Sequence, residues 1–193
     1  MIINANELAK RERLAIARKI VEISHVPGSS LLSRSQEGIL ADIDSGVVLV
    51  SLYEDNPSFT VAFEPTGHPD YVEVGMTCNL AKEKVRGRDL FPRIIDHYIA
   101  SNAGSRFIYL TTNDKRMVSI GRVAGFSFVD NLQHFFPPEV RSFCCSPCPK
   151  EKTGVVVEGQ QKDYCPRFSG EFIPILTEEV TRMRCIILAR EIK

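Results

Sequence analysis

A strand, a basic turn and a helix follow one another in the middle of the chain, and this unit constrains the fold more than any other feature. Residues Tyr71–Leu80 alternate apolar and polar side chains, which is typical of a half-buried β-strand. The turn that follows contains Gly87 and four cationic residues, Lys82, Lys84, Arg86 and Arg88. A helix is then predicted over about 89–101, since its apolar residues recur at helical spacing.

The rest of the pattern surrounds this unit with more strands and helices. A helix is predicted over 6–24, a loop over 25–37, and a hairpin of strands Val47–Tyr53 and Phe59–Phe63 with its turn at 56–58. After the unit come strand Phe107–Thr111, helix Asp114–Val123, strand Phe126–Val129 and a last strand, Met183–Arg190. Alternating helices and strands favour partly parallel pairing, so the prediction is an α/β (α+β) fold with a mixed central sheet flanked by helices.

A Cys/Pro-rich insertion at about 131–181 precedes the last strand. It holds six of the eleven prolines and four of the six cysteines, and it is predicted to be irregular. A length of 193 residues suits one domain, 1–193, that includes this insertion. Long loops inside compact domains are usually functional, so the insertion is expected to cover part of the site.

Charge and hydropathy exclude two classes of partner. Lys and Arg number 24 and Asp and Glu number 24, so no global basic field for nucleic acid is expected. No apolar stretch approaches the ~20 residues that a membrane span needs, and the N-terminus does not read as a signal peptide. The expectation is a cytoplasmic protein with reduced cysteines and no membrane partner, and the sequence leaves its oligomeric state open.

The basic turn is the first candidate binding site. A helix N-terminus presents unpaired N–H groups and about half a positive charge, and Gly87 would let a ligand approach the backbone. Such a site suits phosphate or pyrophosphate. The alternative is an ordinary solvated basic turn.

Three stretches resemble the GNAT acetyltransferase superfamily. Glu73-Val74-Gly75 through Phe91 looks like its fourth strand and acyl-CoA loop. Ile108–Asn113 and then Gly125-Phe126 look like its fifth strand, next helix and closing Gly-Phe pair. The resemblance covers roughly 6–130 and 182–191, and it implies a GNAT-like sheet and an acyl-CoA cofactor.

The resemblance also implies which residues form the site. Acetyl-CoA would be the acyl donor and an amine of a small molecule or protein the acceptor, with Glu73 as candidate general base. The residues expected to bind the cofactor are Met76, Thr77, Cys78, Lys84, Val85, Arg86, Gly87, Arg88, Asp89, Leu90 and Asn113. Two positions depart from the family pattern: Asp89 stands where a small residue belongs, and Gly121 stands where the family often has a general-acid Tyr.

Two other functions remain open. Asp89 and Gly121 favour a non-catalytic GNAT-like domain that acts as a CoA-binding sensor or interaction module. A zinc-stabilised binding protein is suggested by Cys145-x-x-Cys148 with Cys165 and either Cys144 or His134. The usual second Cys-x-x-Cys is missing, so no metal site is predicted, and nothing pairs a cysteine with a histidine for nucleophilic catalysis.

Overall fold

The computed structural model describes most of the chain between its first residue and position 129, and shorter pieces after it. The described residues are 1–26, 29, 31, 34–81, 86–102, 104–112, 114–129, 135–137, 139–140, 155–157, 160–162 and 186–192. For 155–157, 160–162 and 186 only the backbone is described.

Nine strands and four helices make up the regular structure of the described part. The strands are β1 Ile2–Asn4, β2 Val48–Tyr53, β3 Asn56–Pro65, β4 Tyr71–Asn79, β5 Phe107–Thr112, β6 Ser127–Phe128, β7 Val155–Val157, β8 Gln160–Lys162 and β9 Ile186–Glu191. The helices are α1 Lys10–Ser24, α2 Gln36–Asp44, α3 Gly87–Ser101 and α4 Lys115–Val123, and a short 3-10 turn spans Ala5–Glu7.

Seven strands form one sheet in the order β1-β2-β3-β4-β5-β9-β6. Only β4 and β5 pair in parallel, and the other neighbours are antiparallel. Strands β7 and β8 form a separate hairpin within the insertion. The predicted mixed sheet with partly parallel pairing in the second half is therefore confirmed, although the insertion is not irregular throughout.

Both faces of the large sheet are covered by helices. Helices α3 and α4 bury Phe91, Ile94 and Ile95 of α3 against Val72 and Val74 of β4 and their neighbours. On the opposite face, a second core joins α1 and α2 to the sheet. It contains Ile16, Ile20, Ile39 and Ile43 from the helices and Met76 and Cys78 from β4. Strand β4 thus contributes to one core with its first half and to the other with its second half.

Three local predictions are corrected. Helix α2 begins at Gln36, inside the predicted loop, and continues through residues that had no assignment; at its start the Ser35 hydroxyl accepts a hydrogen bond from the Gly38 N–H. The edge strand β1 was not predicted. The β2–β3 turn lies at Glu54 and Asp55, whose φ angles are 48° and 59°, because a two-residue hairpin of this twist needs positive φ at both central positions.

Part of the insertion packs on the same sheet face as α1 and α2. Phe136 and Val140 are buried against Tyr109 of β5 and Ile187 of β9. The Tyr71 hydroxyl donates a hydrogen bond to the Phe135 carbonyl at 2.6 Å, which fixes the beginning of the insertion to β4. The cysteines of the proposed zinc set, and His134, lie outside the described residues.

Among the residues that the structure describes, no helix is long and apolar enough to cross a lipid bilayer.

Candidate functional site

A β-bulge divides β4 into two halves. Met76 has a φ of +42°, a left-handed conformation that non-glycine residues rarely adopt. Across the β3–β4 pair, Thr60 lies opposite Cys78 and Ala62 opposite Gly75, so Met76 and Thr77 together face one residue of β3. The bulge reverses the faces of the strand, which is why the side chains before and after it enter different cores.

Strands β4 and β5 separate at the bulge. They pair only from Tyr71 to Val74 on β4 and from Phe107 to Leu110 on β5. Beyond that, β4 stays paired with β3, and β5 stays paired with β9. Residues 75–79 therefore have no strand on their β5 side among the described residues, and the backbone groups that point there can bind an extended ligand.

Helix α3 begins at the same end of the sheet. Gly87, its first residue, packs against Phe59 of β3, and Phe59 lies opposite Asn79, the last residue of β4. The Arg86 carbonyl accepts hydrogen bonds from the N–H groups of Asp89 and Leu90, and no described side chain caps the helix start. The N–H groups of Gly87 and Arg88 precede the first intrahelical bonds, and the side chains of Arg86 and Arg88 are exposed beside them.

The residues predicted to bind a cofactor fall into three groups. Arg86, Gly87, Arg88, Asp89 and Leu90 lie together at the start of α3. The side chains of Met76 and Cys78 are buried in the α1/α2 core, so only their backbone, together with that of Thr77, can line the gap between β4 and β5. Lys84, Val85 and Asn113 lie outside the described residues.

Two residues that depart from the family pattern have definite surroundings. Asp89 is exposed and makes no side-chain cap to α3 in the described part of the chain. Gly121 is buried, and a Cβ there would lie 3.1 Å from Leu110 Cδ2 and 3.2 Å from Leu188 Cδ1. A tyrosine side chain at position 121 would therefore have to displace these two leucines.

Packing requires a glycine at position 87, independently of any bound ligand. A Cβ on this residue would lie 2.9 Å from Cε2 of Phe59, whose ring is 3% exposed. Because an aromatic ring in a packed core cannot move freely, glycine is the residue that lets α3 start this close to the sheet.

Glu73 lies on β4 three residues before the bulge, on the face shared with α1 and α2. The hydroxyl of Tyr109 donates a hydrogen bond to Glu73 Oε2 at 3.3 Å. Tyr109 lies directly across the parallel β4–β5 pair and is fully buried, with Phe136 packed edge-on against its ring. The carboxylate predicted as general base is therefore held in place by a buried tyrosine, which the sequence did not indicate.

Glu64 is a second carboxylate at this place, and it was not predicted from the sequence. It lies directly opposite Glu73 across the antiparallel β3–β4 pair. Arg34 Nη2 lies 3.0 Å from Glu64 Oε1, and Arg34 Nη1 lies 2.5 Å from Asp42 Oδ2. Burial raises the pKa of the Glu64 carboxyl, the charge of Arg34 opposes that rise, and Asp42 adds to it. The only sequence signal was an acid directly after the apolar run Phe59–Phe63.

Solved structures resemble this fold over the whole chain. N-acetylglutamate synthase from Neisseria gonorrhoeae, complexed with coenzyme A and N-acetyl-glutamate, has a TM-score of 0.62 at 15% identity; all of this chain aligns with 35% of that chain. The yncA protein from Salmonella typhimurium with its cofactor acetyl-CoA has a TM-score of 0.57 at 14% identity, covering 100% of this chain and 94% of that one. An acetyltransferase of the GNAT family from Streptococcus pneumoniae has a TM-score of 0.58 at 10% identity, covering 100% and 99%.

The likeness is one of fold. No protein-family model and no curated protein sequence matches the chain. The chain spans about a third of the length of N-acetylglutamate synthase. The protein has the fold of the GNAT acetyltransferases, and the fold implied by the sequence resemblance is confirmed.

Proposed function

We propose that this protein is an acyl-CoA-dependent N-acyltransferase that transfers an acetyl group from acetyl-CoA to an amine. The observation that carries the proposal is the coincidence of two features at one end of the sheet. The gap between β4 and β5 opens at the Met76 bulge, and the N-terminus of α3 lies at the end of the same strand. Fold neighbours with CoA or acetyl-CoA bound support this assignment.

The cofactor would lie along the second half of β4. Its pantetheine arm carries amide groups that can pair with the β4 backbone at Met76–Cys78, as a short additional strand would. Its pyrophosphate would meet the N–H groups of Gly87 and Arg88, with the side chains of Arg86 and Arg88 nearby. Lys84, Val85, Asp89, Leu90 and Asn113 complete the proposed cofactor set.

The reaction is direct transfer with no covalent enzyme intermediate. Glu73 accepts a proton from the acceptor's ammonium group, and the neutral amine attacks the thioester carbonyl carbon. A C–N bond forms and the C–S bond breaks, and the second amine proton leaves as the thiolate is protonated. No tyrosine stands at position 121, so we propose that a water molecule takes up this second amine proton and passes it to the thiolate, and that Glu73 afterwards returns its proton to solvent.

The domain organisation completes the proposal. Residues 1–193 form a single domain, and the insertion at about 131–181 covers the acceptor side of the site. Phe136 and Val140 support this arrangement, because they pack on the face that holds Glu73 and Tyr109.

A second function is a domain that binds CoA without catalysing transfer. Two observations favour it: the exposed acid Asp89 beside the proposed pyrophosphate position, and the buried Gly121 in place of a general acid. CoA binding without thiol release would distinguish this sensor from an enzyme.

Calorimetric titration with acetyl-CoA, followed by a thiol-release assay with primary amines, tests the proposal. Arg88→Glu should weaken acetyl-CoA binding about tenfold or more, which corresponds to ~1.4 kcal/mol. Arg18→Glu is the matched control, since it makes the same charge change at an exposed position on α1. Absence of binding at millimolar acetyl-CoA, or equal effects of the two variants, would refute the proposed cofactor site.

A further inference from the structure

Strand β5 carries a shielded hydroxyl group near its end. Thr111 Oγ1 is inaccessible to solvent and has no hydrogen-bond partner among the described residues. Such a group destabilises a fold, because it has lost its hydrogen bonds to water and gained none in return. In native proteins a group of this kind commonly has a catalytic role or binds a ligand, and the surroundings of Thr111 favour such a role.

Thr111 lies where the gap between β4 and β5 opens. The last pair of the two strands is Val74 with Leu110, so Gly75 and Thr111 are the next positions in register. Tyr109, two residues before Thr111, lies opposite Glu73. Because side chains alternate along a strand, the Thr111 side chain points to the sheet face that holds Glu73. The hydroxyl therefore belongs to the closed end of the gap.

The position across from Thr111 is a glycine, so no side chain of Gly75 fills the space between them. The Glu64 carboxylate rests over Gly75 instead, since a Cβ there would lie 2.7 Å from Glu64 Oε1. That same oxygen lies 3.0 Å from Arg34 Nη2. An ionised carboxylate can only accept hydrogen bonds, whereas the Thr111 hydroxyl can donate one. Thr111 can thus serve a ligand atom that needs a donor.

The surrounding packing holds Thr111 in one place. Its pairing partner on β9 is Ile187, which is 4% exposed and packs with Tyr109 and Phe136. A β-branched side chain such as threonine also has few accessible rotamers. A donor fixed in this way needs little reorganisation when a ligand arrives.

The direction of the proposed cofactor brings its thioester to this point. With the pyrophosphate at Gly87 and Arg88 and the pantetheine arm along Met76–Cys78, the acyl end lies beyond Met76, toward Gly75 and Thr111. This step rests on the proposed function.

We propose that Thr111 is a catalytic residue: its hydroxyl donates a hydrogen bond to the carbonyl oxygen of the acetyl-CoA thioester. When the amine attacks the carbonyl carbon, the C=O electron pair moves to the oxygen, and the hydroxyl stabilises this oxyanion without giving up its own proton. The electron pair then returns to re-form the C=O bond, and the C–S bond breaks. Protons move as in the proposed function.

The ¹³C resonance of bound acetyl-CoA, labelled at its carbonyl carbon, tests this hydrogen bond without an acceptor. Donation to the carbonyl oxygen moves the resonance downfield, so the bound signal should lie downfield of the free one at pH 7. Thr111→Ser keeps the hydroxyl and should retain most of this displacement. Thr111→Val has nearly the same shape without the hydroxyl and should lose at least half of it. Equal displacements in the wild-type protein and Thr111→Val would overturn the proposal.

Melting temperatures without ligand test whether the fold itself uses the hydroxyl. Thr111→Val should raise the melting temperature by about 2 °C or more, because it removes an unpaired polar group from a shielded position. Thr66→Val is the matched control. Thr66 is 4% exposed in the β3–β4 connection, and its hydroxyl donates a hydrogen bond to the Tyr71 carbonyl at 2.9 Å.

The control should lower the melting temperature and leave the carbonyl resonance of bound acetyl-CoA unchanged. If Thr111→Val lowers the melting temperature as Thr66→Val does, the hydroxyl is bonded within the folded chain and the proposal is overturned.

Turnover separates a catalytic role from binding alone. In the thiol-release assay, Thr111→Val should lower kcat about 100-fold or more with little change in the KM for acetyl-CoA, as expected when a donor to the oxyanion is lost. An unchanged kcat would overturn the catalytic role. If the wild-type protein does not bind acetyl-CoA, the proposed function fails and the role of Thr111 fails with it. If acetyl-CoA binds but Thr111→Val leaves its carbonyl resonance unchanged, only the role of Thr111 is wrong.

Discussion

The left-handed conformation of Met76 makes a prediction that can be measured as a difference between two sites on one strand. Met76 has a φ of +42° and is 9% exposed. Cys78, two residues later, is buried in the same core and does not have a positive φ. The perturbation is to replace each residue with alanine and with glycine, and to compare the two variants within each site.

The expected free energies follow from backbone conformation. At Cys78, glycine should be less stable than alanine by about 1.5 kcal/mol, from ~0.5–1 kcal/mol of backbone entropy and ~0.8 kcal/mol for the lost methyl group. At Met76 the same costs apply, but glycine also relieves a left-handed conformation worth roughly 1–2 kcal/mol. The glycine penalty at Met76 should therefore fall close to zero.

Urea unfolding of the four variants measures the effect. We expect the glycine penalties at the two sites to differ by about 1–2 kcal/mol, which corresponds to roughly 2–8 °C in melting temperature for a domain of this size. Comparing alanine with glycine at each site removes the cost of losing the rest of the methionine or cysteine side chain. Equal glycine penalties at the two sites would refute the bulge, and with it the separation of β4 from β5.

Three further predictions concern stability and charge. Burial raises the pKa of Glu64 above its ordinary 4.5, so wild-type stability should fall relative to Glu64→Gln as pH rises from about 4.5 through the pKa of the folded state. Urea unfolding between pH 4 and 8 measures this, and a constant difference in unfolding free energy between the two proteins would contradict it. Phe91→Ala should lower the free energy of unfolding by about 3–5 kcal/mol, measured by thermal or urea unfolding, since Phe91 is 0% exposed. Phe128→Ala should lower it far less, because Phe128 is 40% exposed, and similar losses of stability in the two variants would contradict the packing of α3. Asp89→Asn should tighten CoA binding by up to about fivefold, because two exposed charges about 4 Å apart in water repel each other by ~1 kcal/mol. Equal or weaker binding of the variant in calorimetry would mean that Asp89 points away from the pyrophosphate.

The sequence predicted the central unit of the fold because its periodicity is strong. Strand β4 and helix α3 were expected at 71–80 and about 89–101 and are found at Tyr71–Asn79 and Gly87–Ser101. Helix α2 was missed because its nine residues have only a short apolar stripe that follows a polar loop. Its start depends on the Ser35 cap, a signal that can be recognised only when a helix is already suspected.

The site was harder to predict, because it depends on strand register and on one backbone angle. Val72, Val74, Met76 and Cys78 alternate without interruption in the sequence, yet the first two face α3 and the last two face α1 and α2. Nothing in the amino-acid sequence marks the point where the side chains change faces, since a methionine that will adopt a positive φ cannot be recognised as a bulge. The pairing of Glu64 with Glu73 likewise requires the β3–β4 register, and the turn between the strands does not fix it from sequence alone.

An amide chemical-shift titration with CoA would show where CoA binds. We expect the largest changes at the N–H groups of Gly87 and Arg88 and along β4 from Met76 to Asn79, with smaller changes in α1. Changes concentrated elsewhere in the chain, or no change at millimolar CoA, would contradict a cofactor site formed by the β4–β5 gap and the start of α3.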